Sequence, residues 1–217
     1  MAKDLQGLHM MVITYKDIIS QRAKINQKFR LLERKGRTFP TCNKDVLHFG
    51  SGDVNSPNHK EIERLYSKVY SCDSDEKSGS DYKDIFDIVD RKFGMIICEH
   101  VLEHIPVEIL INSISQKFSD LLLEDGTLLV TLPNINNFSS YFSDYDHKCH
   151  VPPYDIASII CCRGFEVIDM FRWSKSHKMA QQSAMNPTEL FIENFIETNY
   201  GLQMDQYVTM VLKKKNG

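Results

Sequence analysis

No run of apolar residues in this chain approaches the roughly 20 needed to cross a bilayer, so the sequence predicts no membrane insertion. A secretory leader is not expected either, because the apolar stretch from Met10 to Ile13 is too short for its core and runs into Thr14, Tyr15 and Lys16. The six cysteines include no C-x-x-C pair, and Cys161 and Cys162 are adjacent. That spacing makes a poor disulfide framework and points to a reducing compartment, the cytoplasm. A large excess of charge is missing as well: the net charge of −3 gives no case for a nucleic-acid partner. No internal repeat or low-complexity tract is visible.

What is present suits one α/β unit. The 217 residues are 42% hydrophobic and 25% charged, enough for a substantial core under an ordinary polar surface. Charge is uneven along the chain. Residues 1–40 carry a net +6 and the remainder −9. We read 1–40 as a basic helical segment and 41–217 as the main domain. The basic segment either steers an anionic substrate or docks as a solvated helix on the acidic domain.

From Asp45 onward short apolar runs alternate with amphipathic stretches, the pattern of a mainly parallel sheet covered by helices. Strands are expected at 46–49, 69–72, 93–98, 127–132, 165–171 and 206–212. Helices are expected after Ser56-Pro57, after Pro106 and after Pro152-Pro153, the last ending at Gly164, with a further one around 190–196. Only about twenty residues separate the second strand from the third, little more than a crossover minimum, so a short strand at 83–88 with almost no helix before it is the expectation. The predicted fold is a Rossmann-like sheet of seven strands, or fewer if trimmed on that side. It has helices on both faces and an antiparallel last strand.

The strongest local signal is the strand–GSGDVN–helix run from Gly50 to Asn55, followed by Asp73 at the end of the next strand. Glycines there let the chain turn sharply and a ligand approach closely, and a carboxylate 21 residues on can accept both hydroxyls of a ribose. Asn55 stands where a dinucleotide fingerprint needs its last glycine. A nucleoside without a pyrophosphate therefore fits better than NAD.

On VLHFGSGDV, YSCD ending at Asp73, KDIFDI, FGMIICEHVLEHIP, LLLEDGTLLVTLPN and CCRGFEVIDM, the chain from about Asp45 to Phe171 resembles the class I S-adenosylmethionine-dependent methyltransferases, in their small-molecule branch. The resemblance implies S-adenosylmethionine as cofactor and S-adenosylhomocysteine as product. It implies cofactor contacts from His48, Gly50, Ser51 and Gly52, with Asp73 on the ribose, Asp84 and Ile85 beside the adenine, and Cys98 and Glu99 along the methionine portion. The chain departs from the family at His48, where an acidic residue is usual, and at Val54, where a third glycine is usual. Glu99 or a water is then left to meet the methionine ammonium. The chain also looks similar to compact methyltransferases of bacterial capsular and surface-polysaccharide genes, which modify sugars or their phosphoramidate groups. That similarity implies methyl transfer to an oxygen of a small polar acceptor.

The polar loop from Asn134 to His150 follows the strand beginning at Thr127, on the edge where open α/β sheets bind ligands. Its His150, and after it His147, are the candidate general bases. Asp144 or Asp146 would orient the imidazole, and Asn134, Asn137 and Tyr141 would bond the acceptor. No metal is expected. Glu99-His100 falls at a strand end, which spoils a helical pairing of His100 with His104, and the donors between Asp144 and His150 are packed too closely in sequence to converge on one ion. Two other readings remain open: an NAD-dependent oxidoreductase, and a weak or non-catalytic protein that binds an adenosyl cofactor.

Overall fold

A computed structural model describes residues 12–29, 32–137, 144–149, 151–174 and 205–215. In chain order the elements are α1 (Tyr15–Lys28), β1 (Glu33–Arg34), β2 (Val46–Phe49), α2 (Pro57–Leu65), β3 (Val69–Cys72) and β4 (Phe93–Glu99). The helix α3 then joins Val107–Ile109, a π segment Leu110–Ile114 and Ser115–Leu121, and β5 (Leu122–Pro133), α4 (Pro153–Cys161), β6 (Phe165–Trp173) and β7 (Tyr207–Lys214) come after it. The expected helix around 190–196 lies outside the described residues.

One sheet runs in the order β1-β6-β7-β5-β4-β2-β3. β2 pairs parallel with both β3 and β4, β4 pairs parallel with β5, and β7 is antiparallel to β5 and β6. Six of these strands have four residues or more. The seventh is not the strand expected at 83–88 but the two-residue β1, which pairs with β6 at the opposite edge. At 83–88 the chain forms a 3-10 turn, Ile85–Asp87, capped by Asp84, whose Oδ1 accepts from Phe86 N at 2.9 Å. A single bridge, Cys72 to Tyr82, is all the pairing the edge strand β3 gains there. Beside it Asp81 takes up an edge donor, accepting from Ser71 N and from Ser71 Oγ, each at 2.8 Å. A carboxylate that consumes open strand donors leaves no template for a further strand.

Alternation along the strands builds two cores. Val46, Met95, Ile97 and Leu129 point to one face, where Ile62 and Tyr66 of the α2 region cover them. Leu47, Ile96, Cys98, Leu128 and Val130 point to the other, under α3, α4 and Ile25 of α1. Helices therefore lie on both faces. The basic helix α1 is docked through Arg22 to Asp155 (3.1 Å) and Lys28 Nζ to Val167 O (2.9 Å). No described helix is long and apolar enough to cross a membrane. All six cysteines are free thiols, five of them buried.

The regular pattern breaks in two places. In the wider π turn of α3 the Ile111 carbonyl accepts from Ser115 Oγ and Arg163 Nη2. Between the pairs Phe93–Leu122 and Met95–Thr127 the register shifts, and Asp125 takes a left-handed φ of 59°. The strand expected from Thr127 thus already begins at Leu122, before its tight turn.

Candidate functional site

From β2 the chain goes to β3 on one side and to β4 on the other, which opens a crevice beyond the carboxyl ends of β2 and β4. A cavity of about 530 Å³ occupies that place. Gly50, with φ +74°, lets the loop after β2 pass directly over the loop after β4. A Cβ at Gly50 would sit 2.0 Å from Val101 Cγ2. Gly52, φ +59°, is also left-handed but has open space beside it. Gly50 N and Ser51 N donate to Cys72 O, and Gly52 N donates to Asp73 Oδ2 at 2.7 Å. Asp73 Oδ1 accepts from Asp75 N at 2.9 Å. The backbone thus fixes the carboxylate while using about half of its four acceptor sites, and the residue lines the cavity.

Five of the nine predicted cofactor residues line this space: Gly50, Gly52, Asp73, Asp84 and Ile85. Phe86, next to them, also lines it and was not singled out in the sequence. The other four stand elsewhere. Ser51 is 4% exposed and off the wall. Cys98 is fully buried in the helix-covered core, and burial pushes its thiol well up. His48 and Glu99 belong to the opposite face of the sheet.

The His48 Nδ1 lies 2.9 Å from His59 Nδ1 of α2. One of these nitrogens must carry the hydrogen and the other accept it. Burial, then the neighbouring His59 and Arg37, push the His48 pKa down to about 3, so the ring is neutral. A neutral imidazole here replaces the expected acid without leaving a buried charge. Glu99 is held by Arg37, which reaches it from the segment after β1: Nε donates to Oε1 at 3.1 Å and Nη2 to Oε2. Arg37 also donates to Glu61 Oε2 and Asn58 Oδ1. Thr131 donates to the same Glu99 Oε1, and Thr131, Thr209 and Trp173 continue the network. Both Glu99 oxygens are engaged on that face, and Glu99, expected with a water as the alternative to meet the methionine ammonium, is not among the residues that line the cavity. Val54, in place of a third glycine, is accommodated by Gly79: a Cβ on Gly79 would come to 3.2 Å from Val54 Cγ2.

The cavity is also walled by His100, His104, Ile105, Ile114, Asp146 and Lys148. Of the described residues predicted for the acceptor side, Asp146 alone takes part in the wall. Asn134 is buried and spans a turn, donating from Nδ2 to Asp205 O and accepting from Asn136 N. Asn137 does not line the cavity. Asp144 is exposed and accepts from Asp146 N. Tyr141 and His150 lie outside the described residues. His147 is 9% exposed and packs edge-on against His104, ring centroids 5.0 Å apart.

The histidines that do face the cavity, His100 and His104, come from EHVLEHIP. His100 takes φ 57°, unusual for a residue with a Cβ, and its Nδ1 lies 3.5 Å from Glu103 Oε1. His104 Nδ1 lies 3.2 Å from Asp146 O and 3.4 Å from Asp146 Oδ2. Donors from two separated segments come together here, a combination the sequence reading did not weigh. One ligand atom each of Glu103, His104 and His147 lies within 4.8 Å of the others.

No protein-family profile matches the sequence, and no curated protein matches it significantly. Solved structures are similar to it in fold. A SAM-dependent methyltransferase from Archaeoglobus fulgidus is 17% identical with a TM-score of 0.61, over 91% of this chain and 94% of that one. An S-adenosylmethionine-dependent methyltransferase from Clostridium acetobutylicum is 13% identical with a TM-score of 0.51, over 94% and 93%. The N-methyltransferase NodS from Bradyrhizobium japonicum, in complex with S-adenosyl-L-homocysteine, is 8% identical with a TM-score of 0.51, over 93% and 87%. At these identities the likeness is one of architecture.

Proposed function

We propose that the protein is an S-adenosylmethionine-dependent methyltransferase acting on an oxygen of a small polar acceptor. The observation that carries this reading is the Asp73 carboxylate. The backbone amides of Gly52 and Asp75 fix it at the cavity wall, with acceptor capacity to spare. A ribose diol is the ligand such a carboxylate suits. Asp84, Ile85 and Phe86 supply a polar edge and an apolar surface for an adenine. The left-handed loop at Gly50 and Gly52 admits the amino-acid end. The neighbours of this fold that bind S-adenosyl ligands support the same choice, and Asn55 in place of the last fingerprint glycine speaks against NAD.

S-Adenosylmethionine supplies an activated methyl group on a sulfonium. The chain's own contribution is to hold an acceptor oxygen in line with it, at roughly 3 Å, and to take up the proton released. His100 faces the cavity and suits that proton transfer. His147, expected as a base, stands behind His104, and the role proposed for His150 rests on the sequence alone. The polar wall of His100, His104, Asp146 and Lys148 suits a hydroxylated or phosphorylated acceptor. The resemblance to methyltransferases of polysaccharide genes makes a sugar or phosphoramidate oxygen of a bacterial surface polysaccharide our choice.

Calorimetric titration with S-adenosylhomocysteine tests the reading. Asp73→Ala removes paired bonds to a charged acceptor and should weaken binding about tenfold or more. Equal affinity of wild type and variant would sink the assignment.

A further inference from the structure

We propose that Glu103, His104 and His147 form a binding site for one divalent transition-metal ion, of the zinc type, in the acceptor-side wall of the cavity. Two chain segments supply the donors, and they are stitched together by backbone. Lys148 N and Cys149 N both donate to Glu103 O, at 2.7 and 2.8 Å. One ligand atom from each side chain then falls within 4.8 Å of the other two. Around a tetrahedral ion with bonds of about 2.1 Å the ligand atoms stand about 3.4 Å apart, so a closure of at most about 1.4 Å by side-chain rotation completes the set.

Two further observations single this group out. Glu103 is 2% exposed, and its Oε2 is buried with no hydrogen-bond partner. An unmatched buried carboxylate oxygen is costly unless a cation or donor meets it. The second is the orientation of His104. Its Nδ1 is turned to the carbonyl and carboxylate of Asp146. That contact places the hydrogen on Nδ1 and leaves the Nε2 lone pair for a metal, the usual support of a histidine ligand. His100, 3.5 Å from Glu103 Oε1, stands beside the carboxylate in the same supporting role.

A set of two histidines and one glutamate leaves a fourth position open, as in hydrolytic zinc sites. His104 lines the cavity, so that position is within reach of an acceptor. There the ion would hold an acceptor hydroxyl and lower its pKa. This role rests on the methyltransferase reading, whereas the site itself does not.

The test uses the full chain, stripped with a chelator and titrated with Co²⁺ as a coloured substitute for Zn²⁺. One ion per chain should bind, with visible bands of low-coordinate Co²⁺ and no thiolate charge-transfer band. Glu103→Gln and His147→Ala should each weaken binding at least about 100-fold, because even loss of a supporting group costs up to that much. Melting of the metal-free variants shows that they fold, and Glu103→Gln keeps the side-chain shape if His147→Ala does not. No saturable binding, a thiolate band, or binding unchanged in both variants would overturn the proposal. S-Adenosylhomocysteine is titrated in parallel without metal. Loss of that binding alone would strike the cofactor reading and leave the metal site standing.

Discussion

Gly50 and Gly52 share a left-handed backbone two residues apart, yet their neighbourhoods differ, and substituting each by alanine separates backbone strain from steric clash. At Gly52 a Cβ meets nothing within 4 Å. Gly52→Ala therefore costs only the left-handed strain, about 1–2 kcal/mol, reduced somewhat because the unfolded chain loses freedom. At Gly50 the same strain applies, and the new Cβ falls 2.0 Å from Val101 Cγ2. Valine has few χ1 positions to escape to. Forcing a methyl into a packed site adds about 1–3 kcal/mol. Gly50→Ala should thus be less stable than Gly52→Ala by at least about 1 kcal/mol. Urea unfolding reads this as a lower midpoint at an unchanged slope. Because Val101 lines the cavity, its displacement should also lower cofactor affinity in Gly50→Ala. Equal midpoints for the two variants would refute the described crossing of the two loops.

Two further outcomes concern the opposite face of the sheet. Arg37→Ala strands Glu99, whose side chain is 3% exposed, and should cost about 3 kcal/mol or more in urea unfolding. A loss below about 1 kcal/mol, the range of an exposed pair, would show that the pair is not desolvated. The buried His48 makes stability pH-dependent. Its pKa falls from 6.5 to about 3 on folding, so the unfolded chain takes up the proton first. This contribution is present above about pH 6.5 and is lost as the pH falls toward 3. Between pH 7 and pH 5 the loss amounts to about 2 kcal/mol, and His48→Asn should remove most of that difference.

Much of the fold was legible because the strands from β2 to β5 each hold a short apolar run ended by glycine, proline or acid. The runs at 46–49 and 69–72 match β2 and β3 residue for residue. The placement of Asp73 at the cavity wall was legible because it ends its strand 21 residues after Gly52. What stayed hidden depends on distant partners. Arg37 meets Glu99 across 62 positions, and no local pattern announces it. The bulge at Asp125 hid the early start of β5, since Glu124-Asp125-Gly126 reads as a turn. The 83–88 segment reads as a strand because Ile85, Phe86 and Ile88 look like one. Only the side chains of Asp81 and Asp84 divert it. His104 meets His147 through backbone bonds to Glu103, so a rule based on local spacing misses a cluster that the fold assembles.

Whether the crevice between β2 and β4 holds an S-adenosyl ligand is tested most directly by a crystal structure with S-adenosylhomocysteine. The ribose hydroxyls are expected on Asp73, the adenine beside Asp84, Ile85 and Phe86, and the sulfur facing His100 and His104. A ligand seated instead on the Arg37–Glu99 face, or crystals that take up none at saturating concentration, would contradict the assignment.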